Sequence, residues 1–121
     1  MRLAKADAVA FLPDVAETLD NRGIFYGMNG GTTEAVYDFE RALGICRDLA
    51  NRGPAAFLPY VATVLTDLAE CYKNAGRAKE AQTTYENALS VYQSLPQGSA
   101  AIYESQIESI RKALAGLKEA K

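Results

Sequence analysis

Histidine is absent from the 121-residue chain, and tryptophan with it. Losing histidine removes the commonest general base and the commonest zinc ligand. Only two cysteines occur, Cys46 and Cys71, far apart and without CxxC spacing. They suit buried thiols in a reducing, cytoplasmic setting better than a disulfide framework. No apolar run approaches the roughly 20 residues that cross a bilayer, so no membrane partner is expected. Charge of one sign is also lacking. The formal net charge is −2, with acids and bases interspersed, which leaves no basic stripe for nucleic acid and no polybasic lipid patch. "MRLAKADAVAFLPD" carries Asp7 among its apolar residues and has no sustained hydrophobic core, so it does not read as a signal peptide. A serine nucleophile would need Lys or Asp as its base, and no GxSxG turn is present. No catalytic residue, metal site or cofactor is therefore expected.

What the chain does have is a repeat. "AFLPDVAETLDNRGIFYGMNGGTTEAVYDFERALGICRDL" (Ala10–Leu49) aligns without a gap on "AFLPYVATVLTDLAECYKNAGRAKEAQTTYENALSVYQSL" (Ala56–Leu95). The offset is about 46 residues, with about fifteen identities in about forty columns. Each copy reads as two helices. Val61, Leu65, Leu68, Ala69 and Tyr72 recur at helical spacing, followed by Ala81, Tyr85, Ala88, Leu89, Tyr92 and Leu95. The first copy matches with Val15, Leu19, Gly23 and Tyr26, then Ala35, Phe39, Ala42, Leu43, Cys46 and Leu49. Pro13 and Pro59 suit the first turn of each opening helix, where a missing N–H costs nothing. Gly30 and Gly76 suit the left-handed residue that ends many helices. Small residues at Gly23/Ala69, Ala35/Ala81 and Ala42/Ala88 permit two helices to cross closely.

The loop "MNGGTTEA" (Met28–Ala35) has the ingredients of a phosphate cradle: glycines, hydroxyls and a following helix. Its counterpart in the second copy, "NAGRAKEA", has one glycine and no hydroxyl but occupies the same corner. No lysine follows Gly31 and no strand precedes the loop. The stretch is expected to be an interhelical turn, with Thr32 and Thr33 serving as N-cap and first-turn residues.

The pattern Leu65, Leu68, Ala69, Tyr72, Gly76, Ala81, Tyr85, Ala88 resembles the tetratricopeptide repeat. The resemblance spans Ala10–Leu95 and is similar to longer-period forms of that repeat. Leu19 and Leu65 stand where the family usually has Trp, Arg22 where it has Leu, and Arg47 and Gln93 where it often has Pro. It implies an all-α fold: a short right-handed α-solenoid of two helical hairpins and a C-terminal capping helix. Residues 12–52 would form the first repeat, 54–96 the second, and 99–120 the cap, with Ser99 as its N-cap. Residues 1–11 read as the exit of a preceding repeat or a lead-in, because Arg2–Ala4 match the register of Arg47–Asn51. The cap stripe is Tyr103, Ile107, Ile110, Leu114 and Leu117.

The resemblance also implies a function, a non-catalytic scaffold that binds another protein or peptide. Its concave groove is lined by the first helix of each repeat. Carried over column by column, the groove residues are Glu17, Asp20, Ile24, Gly27 and Met28, then Thr63, Thr66, Glu70, Lys73 and Asn74, with Ser109 and Lys112 from the cap. Acids mixed with Ile24 and Met28 would suit a peptide or helix that is both basic and apolar. Glu17 and Asp20 lie one turn apart and read either as exposed acids or as a cation pair. Arg22 replaces a core leucine, so its guanidinium should reach solvent or pair with Asp20 or Glu17. Together with Phe25 it marks a possible self-association face, and the alternative to the scaffold reading is a structural, self-associating segment of a larger repeat array or homo-oligomer.

Overall fold

The computed structural model describes residues 5–96, 98–99 and 101–119, so Arg2–Ala4 lie outside the described residues. Five helices follow one another: α1 (Lys5–Met28), α2 (Thr32–Arg52), α3 (Pro54–Asn74), α4 (Ala78–Gln93) and α5 (Glu104–Glu119). No strand occurs among the described residues. Each helix packs chiefly on its neighbours in sequence, and α1 also touches α3. The arrangement is a short all-α solenoid made of two hairpins and a closing helix.

The hairpin corners follow from their glycines. Gly30 and Gly76 take positive φ angles of 81° and 80°, a region closed to most side chains. The next residue then reaches back five residues. The Gly31 N–H donates to Tyr26 O at 2.8 Å, and the Arg77 N–H to Tyr72 O at 2.8 Å. These bonds satisfy carbonyls that the helix end leaves open. The expectation for both glycines holds, and "MNGGTTEA" is a corner.

Several local expectations are corrected. Thr32 does not cap α2. The N-cap is Gly31 and no side chain bonds the first turn, because the tight corner places Thr32 already inside the helix. Pro13 and Pro59 lie within α1 and α3 rather than in their first turns, because α1 reaches back to Lys5 and Pro54 takes the opening position of α3. The carbonyl of Ala55, which Pro59 cannot serve, lies on an exposed residue and reaches water. Ser99 does not cap α5, which begins at Glu104. Instead the Ser99 N–H closes a turn on Pro96 O at 3.0 Å.

The core runs along the solenoid axis. Phe39 and Tyr85 occupy the same column in the two repeats, and both are almost fully buried. A Cβ built on Gly23 would stand 2.8–3.0 Å from three Phe39 ring atoms, so the ring fills the space that glycine leaves. Ile110 of α5 joins this core, and Tyr103 lies 5.3 Å from Tyr92 between ring centroids. Val15 departs from its expected core position and is 42% exposed, while Ala16 and Leu19 face inward. Its counterpart Val61 is buried, in a hairpin that has another hairpin stacked before it.

Candidate functional site

The first helices of the two repeats, α1 and α3, lie side by side and leave clefts along their shared face. One cleft, of about 180 Å³, gathers Glu17, Asp20 and Thr63 with Cys46, Phe57 and Tyr60. A second, of about 240 Å³, gathers Ile24, Met28, Glu70 and Asn74 with Gly27 and Asp67. A third, of about 280 Å³, lies toward α5 and brings Thr66, Glu70 and Lys73 to Ser109 and Lys112. All the residues expected in the groove therefore fall along one trough, divided into three parts. Ile24 and Met28 expose apolar surface there. The Thr63 and Thr66 hydroxyls donate to Pro59 O at 3.0 Å and Ala62 O at 2.8 Å, so their protons turn inward to their own helix.

Between the first two clefts is a residue that sequence reasoning missed. Asp67 of α3 comes within hydrogen-bond reach of Asp20 of α1. Burial is the first cause acting on both carboxyls, and it raises both. Asp67 is pushed up to about 8, with Asp20 adding to the effect. Glu17 raises Asp20 further. The geometry agrees with a retained proton, since Asp20 Oδ1 is buried and meets no hydrogen-bond donor. Glu70 is also raised, by burial and then by Asp67, while Lys73 lowers it. Among the described residues none of Glu17, Asp20, Asp67 and Glu70 makes an ion pair. Asp67 stands in the repeat column of Asn21, so no columnwise comparison of the two copies marks it.

Arg22 and Phe25 lie outside this trough. Arg22 pairs with neither Asp20 nor Glu17. Its Nε and terminal nitrogen donate to Asp38 of α2 at 2.8 and 2.9 Å. Residues two apart on a helix point in nearly opposite directions, which rules out Asp20. Asp38 is 1% exposed, and the bidentate guanidinium holds its carboxyl below the usual range. Both thiols are buried; burial pushes Cys46 up to about 11 and also raises Cys71, so neither is a reactive thiolate at neutral pH. Among the described residues no group of three or more potential ligands could hold a metal ion. No described helix is long and apolar enough to cross a membrane.

Paired antiparallel helices, stacked in register and open along one trough, define a helical-repeat protein. The tetratricopeptide repeat family model matches residues 15–54, most of the first hairpin. The first hairpin is therefore similar to that family, and the second hairpin repeats the same columns. No curated protein matches the chain in sequence. Tetratricopeptide repeats generally mediate protein–protein interaction and are typically non-catalytic.

Proposed function

We propose that this chain is a non-catalytic scaffold that binds a peptide or helix in the trough between α1 and α3. The partner would present at least one Lys or Arg beside apolar residues. The observation that carries this reading is the close Asp20–Asp67 pair with Glu17 beside it and no protein cation to answer it. A partner ammonium or guanidinium laid between the two carboxyls would replace the shared proton and supply donors to Asp20 Oδ1. Ile24 and Met28 on one side, and Phe57 and Tyr60 on the other, would receive apolar neighbours of that cation. At about 180–280 Å³ each, the clefts fall below the usual small-molecule pocket, which suits an extended segment or one face of a helix more than a compact small molecule.

Selection of a displayed peptide library on the immobilised chain tests this. Enriched peptides should carry Lys or Arg flanked by apolar residues. Reversing Glu17, Asp20 and Glu70 to Lys should abolish their capture without changing the far-UV circular dichroism. Enrichment of acidic peptides, or capture indifferent to the reversal, would sink the assignment.

A further inference from the structure

The two repeats bury the same columns differently. In α3 the residues Phe57, Val61, Val64, Leu68 and Cys71 form a seam that α2 covers, and the last four are nearly inaccessible. The matching columns of α1 are Phe11, Val15, Thr18, Arg22 and Phe25, and all five are exposed, with Phe25 at 62%. Their spacing of four, three, four and three residues is that of a coiled-coil seam. Among the described residues nothing lies over this seam, and most of the large exposed apolar side chains belong to α1. Tyr37 of α2 extends the same patch, with Arg41 over its ring at 5.5 Å.

We propose that this face binds a second copy of the chain, α1 against α1 in antiparallel fashion, in a two-fold dimer. The seam is close to symmetric about Thr18. An antiparallel crossing there lays Phe11 of one copy against Phe25 of the other, and Val15 against the aliphatic stem of Arg22. Thr18 meets its own mate on the axis. Charge does not oppose this contact, because each Arg22 arrives already neutralised by Asp38.

Size agrees as well. The seam from Phe11 to Phe25 is about 22 Å long, and with the adjoining edge of α2 the face is about 20 Å wide. That gives roughly 450 Å² per copy, the size of a weak, reversible contact. A head-to-tail stack fits less well. The opposite end of the solenoid is closed by α5, whose outward Ser105 and Glu108 offer no apolar counterpart. A permanently stacked hairpin fits less well too, since it would bury leucine at the Arg22 column as α2 buries Leu68. A charged, hydrogen-bonded pair in an apolar seam fixes register and keeps the contact reversible.

Sedimentation equilibrium on the full chain at roughly 0.1 mM should give a dimer, the range in which an interface of this size with a polar centre is populated. Phe25→Glu should weaken it by roughly 30-fold or more, as loss of a buried interface aromatic does, while helical content stays unchanged. Under mild oxidation Thr18→Cys should form a disulfide-linked dimer, and Thr83→Cys, exposed on α4, should not. A chain that stays monomeric, or a dimer that ignores Phe25→Glu, overturns the proposal. So does equal cross-linking at the two cysteines, or association only with a different helical protein. None of these variants touches the trough, so peptide capture reports on it separately.

Discussion

Replacing Asp67 by Asn should stabilise the protein, and more so as the pH rises. The native Asp67 carboxyl, pushed up to about 8, keeps a proton that the unfolded chain releases above about pH 4. Between those limits the folded state binds more protons than the unfolded state, so stability falls as pH rises. Asp20 receives the same proton, and the pair therefore accounts for one proton rather than two. The steepest possible fall is about 1.4 kcal/mol per pH unit. The trough is open to water on one side, and halving that slope over pH 5 to 8 gives about 2 kcal/mol. Above about pH 8 both carboxyls are ionised and the dependence levels off. An asparagine amide donates to Asp20 without carrying charge, so Asp67→Asn should recover about 2 kcal/mol at pH 8. The melting temperature should then rise by roughly 6–10 °C. Urea unfolding followed by circular dichroism at about pH 5, 6.5 and 8, for both proteins, measures this directly. A wild type as stable at pH 8 as at pH 5, or a variant less stable throughout, would refute this account of Asp67.

Further outcomes follow from the same geometry. Capture of a basic peptide should strengthen between about pH 6 and 8, because the Asp20–Asp67 pair gains negative charge as it loses its proton; calorimetry in two buffers checks this. Gly23→Ala should cost about 1–2 kcal/mol in chemical denaturation despite the better helix propensity of alanine, since the new Cβ meets the buried Phe39 ring. Arg22→Leu should destabilise the protein at neutral pH by leaving Asp38 buried and unpaired. Adding Asp38→Thr, which copies the Leu68/Thr84 combination of the second repeat, should restore much of the loss. The Arg22→Leu defect should also shrink as the pH falls through the acid range, because Asp38 without its partner takes up a proton that the wild-type ion pair excludes.

The repeat was legible because it is written in residues whose roles are local. A glycine that must take a positive φ and a small residue at a helix crossing act through their own backbone or volume, so both appear in the same columns of both copies. Helix starts were less legible. Pro13 and Pro59 resembled first-turn residues, yet both lie further in, and at Pro59 the unserved Ala55 carbonyl lies on an exposed residue. The Arg22 partner was not legible, because Asp38 reaches it only when α2 turns that carboxyl toward α1.

By itself the sequence determined that this chain is a pair of helical hairpins closed by a capping helix, with no histidine and no reactive loop. Helical periodicity and the glycine corners are properties of short segments, and they survive being read one segment at a time. The tertiary structure alone decided which charges meet. Asp20 and Asp67 face each other because α1 and α3 lie side by side, and Arg22 is neutralised because α2 lies beneath it. It also decided that equivalent seams meet different fates. Phe57 to Cys71 are covered because a hairpin precedes them in the stack, whereas Phe11 to Phe25 are exposed among the described residues. Burial depends on what is stacked on a face, and a column of residues does not carry that information.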